Sequence, residues 1–406
     1  MRKNRASVLI SGASIAGLTT AYLLGEYGFD VTIVERAGNI RGGGYPIDVR
    51  ETAVDVMDRM GGLTQLRANH IGTKKISFLD QKGDVIGVLG MEESAGVQNG
   101  REIELPRGTL TQILFGLIEQ KRLPIRFQFN DSINDLNDNG DGVNVKFKSG
   151  SENKYDIVIG ADGLHSNTRR LTFGQEQQFS KYLGYCFAGF SVPNDFGLFR
   201  EGVIYATPGR IAAVYHSENK DVLHAFLVFV TEEPAFVQKQ GIDEQRRLTA
   251  QAFDGAGWET SLLVQAMMEA DDLYCDVVSQ IHMPRWSKGR VALVGDSAFA
   301  PSFLTGQGTS LALVGAYILA GELALHEEPD QAFAAYEKIM RPFAEENQDQ
   351  IYNAPNLVWP RTQEEIEARN QALAALQLSE RKSVGGNSEV YTLDNLTDYS
   401  AVLQKK

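Results

Sequence analysis

The chain has 406 residues, 43% of them hydrophobic and 22% charged. That is an ordinary globular composition, long enough for more than one domain or lobe. A formal net charge of −13 with no basic stripe excludes nucleic acid as an expected partner. No run of about 20 uninterrupted apolar residues occurs, so no membrane span is expected.

At the N-terminus Arg2, Lys3 and Arg5 precede apolar residues, which imitates a secretion signal. The apolar stretch is broken by Ser11, Gly12 and Ser14, so strand plus turn is the better reading. Ser7 to Ser11 has the length and composition of a buried parallel strand. Gly12 follows at a tight turn, and the apolar spacing after Ile15 predicts a helix. Strand, glycine turn and helix form a dinucleotide fingerprint, Gly12-Ala-Ser-Ile-Ala-Gly17. A pyrophosphate is expected over Gly12, Ser14, Ala16 and Gly17, where unpaired N–H groups and the helix dipole favour anions. Ser14 replaces the middle glycine and narrows the backbone's approach. A second strand, residues 30–34, ends at Glu35 and Arg36. A carboxylate about 20 residues past the glycines is placed to accept from an adenosine ribose.

Residues 75–89 predict a hairpin around Lys82-Gly83, and a helix is expected from Arg107. Strands follow at 125–129 and 143–147, then the run Asp156-Ile-Val-Ile-Gly-Ala-Asp162-Gly163. Residues 183–192, 203–206, 211–216 and 223–230 are strand-like, separated by turn residues, and predict an antiparallel sheet inserted in the nucleotide-binding fold. His216 and His224 flank one of its hairpins, and Phe187, Phe190 and Phe303 are further pocket-wall candidates. Residues 291–294 return to the first lobe as a buried strand ending at Gly295-Asp296, followed by Gly306-Gln-Gly308. Glycines here let backbone N–H groups approach a flat ring, and a helix N-terminus stabilises negative charge on it. Residues 311–325, interrupted by Gly315, Gly321 and Glu322, read as a buried helix. Thr362, with Glu365 three residues on, predicts another helix start, and residues 383–406 read as a polar tail.

Cys186 and Cys275 lie in apolar strand-like contexts; they could form one disulfide, but buried free thiols of a reducing compartment, the cytoplasm, are the preferred reading. The six histidines and two cysteines show no metal-ligand spacing. No Gly-x-Ser-x-Gly elbow supports a serine hydrolase.

The three glycine and aspartate motifs, in this order, resemble the single-component FAD-dependent aromatic hydroxylases and monooxygenases, the group of para-hydroxybenzoate hydroxylase. Matching motifs run from residue 8 to about 342, including Ala335-Tyr336-Glu337 and Arg341-Pro342. Within that group the likeness is to tetracycline-inactivating monooxygenases. It rests on Gly42-Gly-Gly-Tyr-Pro-Ile-Asp48, Glu104-Leu-Pro-Arg107 and Leu313-Val-Gly-Ala-Tyr-Ile-Leu-Ala-Gly-Glu-Leu323.

The resemblance implies an α/β fold: a Rossmann-like FAD-binding domain with an inserted antiparallel-sheet substrate domain and a C-terminal helical extension. The divisions expected are 1–72, 101–175 and 277–330 for FAD, 73–100 and 176–276 for substrate, and 331–406 for the extension. It implies FAD contacts at Asp48, Arg107, Asp162, Asp296, Gly306, Gly308 and Thr309, and an NADPH contact at Arg41. The implied chemistry is NADPH (or NADH) reduction of FAD, a flavin C4a-hydroperoxide, and hydroxylation of an aromatic or polycyclic small molecule. Tetracyclines come first, and no side chain need act as nucleophile. An aromatic hydroxylase of catabolism or biosynthesis is the near alternative, and a non-catalytic flavin or ligand sensor the distant one. A halogenase is disfavoured because Trp258, Trp286 and Trp359 stand far apart. A monomer is expected. Two departures stand out: Phe299 where relatives have histidine in Gly-Asp-Ala-Ala-His, and Thr309 where asparagine often follows Gly-Gln-Gly.

Overall fold

The computed structural model describes residues 6–40, 42, 44–91, 99–216, 219–232, 241–353, 358–378 and 392–404. A six-stranded sheet carries the first lobe, in the order Ser287–Lys288, Val291–Leu293, Ile157–Gly160, Ser7–Ser11, Asp30–Glu35, Ile125–Phe129. Every pairing is parallel except that of the short edge strand Ser287–Lys288. Its central strands are apolar on both faces, as a sheet covered on both sides requires. Helix Gly308–Leu325 is buried at 15 of its 18 residues and packs between helices Ile15–Tyr27 and Pro329–Asn353. Its apolar length alone would reach across a bilayer, but here it is a core helix.

The second lobe is a seven-stranded sheet: Tyr274–Ile281, Ser180–Pro193, Val222–Val230, Arg210–His216, Glu201–Thr207, Lys75–Leu79, Val85–Gly90. The antiparallel order is broken once, where Lys75–Leu79 runs parallel to Glu201–Thr207. The expected hairpin of residues 75–89 forms the far edge of this sheet. Alternation along the strands gives it two apolar faces. Helices Ile242–Ala252 and Thr260–Glu269 cover one, burying Phe190, Val214, Ala225 and Leu227. The other carries Phe78, Phe187, Ile204, Phe226 and Val228 and faces the first lobe. A three-stranded sheet, Glu152–Tyr155, Val143–Phe147, Ile133–Asp138, lies beside the first lobe; two of its strands are polar and escaped the sequence reading.

Residues 383–406 are not uniformly a polar tail. Among the described residues 392–404, Tyr399 is 1% exposed, and its hydroxyl donates to Glu322 at 2.6 Å. Gly321 makes room, since a Cβ there would stand 2.3 Å from the tyrosine ring. The pairing of one aromatic with a distant glycine leaves no local pattern.

Candidate functional site: a flavin cradle against an aromatic sheet face

The first motif folds as its residues dictate. Gly12 has φ +106°, and a Cβ there would meet the Ala161 carbonyl oxygen at 2.5 Å. A Cβ on Gly17 would stand 1.9 Å from the Gly12 carbonyl oxygen. Only glycine fits either place. Ser14 precedes helix Ile15–Tyr27 without making a side-chain cap hydrogen bond. Its Oγ instead accepts from Arg107 Nη2 at 2.9 Å. A guanidinium thus stands beside the helix N-terminus, which adds to the attraction for an anion. Glu35 accepts from the backbone N–H groups of Ala13 and Ala37, each at 2.9 Å, so its carboxylate is fixed beside the loop. Ala16 is buried and Arg36 is exposed just past the strand end.

The second and third motifs converge on the first. Asp162 accepts from the Ser166 hydroxyl, from Thr168 N and Oγ1 at 2.9 Å each, and from Ser11 Oγ at 3.4 Å. Its carboxylate caps the following helix and ties it to the first strand. Arg169 is fully buried; it donates to the Ser297 carbonyl at 3.0 Å and to Glu176 at 3.0 Å. Ser297 Oγ donates to the Gly160 carbonyl at 2.6 Å. The residue after Asp296 is therefore pinned to the second motif from two sides. On the other flank, Tyr336 donates to the Leu293 carbonyl at 3.1 Å, and Glu337 accepts from Trp286 N at 3.0 Å. Phe299 is 1% exposed and packs on Trp286 at 4.6 Å between centroids, with Gly315 leaving space for its ring. This departure from the family's histidine is a core contact.

Asp296 is exposed to solvent, yet surrounding protein pushes its carboxyl pKa up, against the pull of Arg107 and Arg169. Both hold at once for a group on the floor of a recess, enclosed by protein but reachable by water. A Cβ on Gly308 would stand 3.6 Å from Asp296, and one on Gly306 would stand 4.0 Å from Asp48. Gly306 is exposed and Thr309 buried. The buried amide nitrogen of Gln307, between the two glycines, has no hydrogen-bond partner among the described residues. Strands Pro46–Arg50 and Glu102–Pro106 form a two-stranded ribbon along the recess, with Asp48 opposite Glu104 in register. Arg50 bridges Asp48 at 2.9 Å and Glu102 at 2.7 Å. Burial, then the charge of Asp48, pushes Glu104 up to about 7.

The site's far wall is aromatic. Phe303 stacks on Phe187 (4.7 Å, 6°), meets Tyr45 edge-on (5.8 Å, 88°) and lies 5.3 Å from Phe226. Trp359 closes on Phe303 at 5.5 Å. Tyr185 donates to the Trp359 carbonyl at 2.7 Å, and Arg361 lies over the Tyr185 ring at 4.5 Å. The segment before helix Gln363–Leu378 is thereby held across the sheet face. Thr362 Oγ1 accepts from Glu365 N at 3.2 Å, as its capping role predicts. Tyr45 and Trp359 were not singled out from sequence. Only the glycines beside Tyr45 pointed to it, and nothing local marked Trp359.

Two expected wall residues lie elsewhere. His216 pairs with Leu223, on the face covered by helices, and its ring meets Phe199 at 5.1 Å. Phe190 belongs to that same far face. His224 pairs with Tyr215 and shares the near face with Phe226. The two histidines flank one hairpin, but register and the two-residue period send them to opposite sides. Arg41 lies outside the described residues.

Residues 5–350 match the FAD binding domain family, and the chain belongs to it. It is an FAD-dependent monooxygenase. A flavin-dependent monooxygenase of an unknown prokaryotic organism is 38% identical over 344 residues, covering 84% of this chain and 87% of that one. An uncharacterized protein of Mycobacterium tuberculosis is 41% identical over 348 residues, covering 84% and 91%. The crystal structure of tetracycline destructase Tet(55) aligns with TM-score 0.82 at 32% identity, covering 98% of this chain and 100% of that one.

Proposed function

We propose that this monooxygenase adds one oxygen atom to a tetracycline-like polycyclic substrate, with NADPH as reductant. The observation that carries the reading is the aromatic wall of Tyr45, Phe187, Phe226, Phe303 and Trp359 facing the flavin cradle. Flat fused rings are the ligands such a wall stacks best. The likeness to Tet(55), which extends over the C-terminal helix, supports the same reading.

The residues present fit FAD. The glycine turn and uncapped helix start suit its pyrophosphate, with Arg107 and Ser14 alongside. Glu35 suits the adenosine ribose, Asp296 the ribityl hydroxyls, and the amides of Gly306 to Thr309 the pyrimidine edge. Asp48, 4.0 Å from where a Cβ on Gly306 would stand, would help to hold the same part of the cofactor. Asp162 acts through the backbone it caps. When bound and reduced, FAD supplies the activation of oxygen; the protein's task is placement and the exclusion of water. The aromatic wall keeps the reacting face dry, and His224 offers a ring nitrogen on the same face of the sheet. The N-terminal dipole of helix Gly308–Leu325 stabilises negative charge at its start. We place the NADPH contact at Arg41.

The test is NADPH consumption by the purified, FAD-loaded protein, with and without tetracycline and a panel of phenols, products being checked by mass. A tetracycline product heavier by one oxygen supports the reading. Stimulated NADPH loss yielding only hydrogen peroxide, or oxygenation of a simple phenol alone, overturns it in favour of another aromatic hydroxylase.

A further inference from the structure

Helix Gln363–Leu378 lies on the aromatic face of the substrate sheet, presenting Ile366, Arg369 and Leu373 inward. Spacing of three and four residues makes this one stripe, in which apolar side chains are the rule. Leu373 obeys it, packed where a Cβ on Gly87 would stand 3.0 Å away. Arg369 does not: a guanidinium occupies the centre of the stripe at 2% exposure.

Its partners do not neutralise it. Nε and Nη2 donate to the Asn370 side-chain oxygen at 3.1 and 3.0 Å, a neutral acceptor on the adjacent residue. The guanidinium lies over the Phe78 ring at 5.1 Å, also neutral. Nη1 is buried with no hydrogen-bond partner among the described residues. Burial alone acts on its pKa, with no carboxylate among the described residues offsetting it. Arginine cannot shed its proton at physiological pH, and buried charges are almost always paired. A cation unpaired among the described residues, held between the C-terminal helix and the sheet face that carries the aromatic wall, points to an anion delivered by a ligand.

We propose that Arg369 is a substrate-anchoring residue that pairs with an acidic oxygen of the ligand, an enolate, phenolate or carboxylate, entering between the C-terminal helix and the sheet. The placement of that ligand rests on the monooxygenase reading above. Bidentate pairing through Nη1 and Nη2 would fix the orientation of a planar acid, setting which carbon faces the flavin.

The experiment uses the FAD-loaded full chain, the parent and the variants Arg369→Gln and Arg369→Met. Binding is read by fluorescence quenching with tetracycline and with two matched pairs: salicylate against salicylamide, and 1-hydroxy-2-naphthoate against its amide. Expected in the parent is tighter binding of at least one acid than of its amide. Arg369→Gln should weaken acid binding by about 10–100-fold while leaving the amide within about twofold. Arg369→Met should melt at or above the parent's temperature, because it removes an unpaired buried charge. Equal loss of acid and amide binding overturns the proposal, as does a parent that prefers neither acid. A lower melting temperature for Arg369→Met makes the residue structural and also overturns it. Discrimination of the acids with no tetracycline binding would keep Arg369 and remove tetracyclines as the proposed substrate. Tetracycline turnover with no acid discrimination would do the reverse.

Discussion

Replacing His165 by glutamine should lower stability in a pH-dependent way. The ring stands between two carboxylates, Nδ1 2.9 Å from Glu176 and Nε2 2.9 Å from Asp276. Asp276 also accepts from Tyr274 at 2.5 Å, and Glu176 from Arg169 at 3.0 Å, so the cluster joins the seven-stranded sheet to the first lobe. Burial opposes the imidazolium, but hydrogen bonds and charge from Asp276 and Glu176 outweigh it and push the pKa from 6.5 up to about 10. A shift of that size corresponds to about 5 kcal/mol as a ceiling. With the side chain 32% exposed, screening brings the expected contribution to about 2–3 kcal/mol. Because the folded pKa is raised, the contribution is full below the unfolded value of 6.5, declines as pH rises, and is lost above about 10. The assay is thermal unfolding of parent and His165→Gln, both FAD-loaded, from about pH 6 to about pH 10.5. The gap in melting temperature should be widest at the acid end and close at the alkaline end. A gap independent of pH would refute the electrostatic account.

Four further outcomes are expected. Gly17→Ala forces a Cβ to within 1.9 Å of the Gly12 carbonyl oxygen; flavin content by absorbance should fall sharply, and full occupancy would show that the turn can open at little cost. Asp296→Ala should cost flavin retention on dialysis, and retention equal to the parent's would remove Asp296 from the cradle. Tyr399→Ala empties a fully packed aromatic position and a buried hydrogen bond to Glu322; a loss of about 3–5 kcal/mol is expected by denaturant titration, with less than about 1 kcal/mol counting against the docked C-terminal segment. Trp359→Ala opens the wall beside Phe303, so the share of NADPH consumption ending as hydrogen peroxide should rise. An unchanged share would mean that Trp359 does not keep water out.

The sequence by itself determined the local elements and their chemistry. Gly12 and Gly17 required a tight turn and close strand–helix packing, Glu35 stood at the strand end, and Arg107 opened its helix. These are short-range consequences of backbone sterics and apolar spacing. Tertiary structure decided what shares a space. Asp48 meets Gly306, and Arg169 grips Ser297, only because strands distant in sequence lie side by side. His224 shares the sheet face turned to the first lobe and His216 does not, because strand pairing, rather than proximity to a turn, assigns the faces. Nothing in the sequence marks Arg369 apart from other charged residues. It becomes a buried cation, unpaired among the described residues, only when the helix is laid on the sheet, since burial is a property of the neighbours and not of the residue.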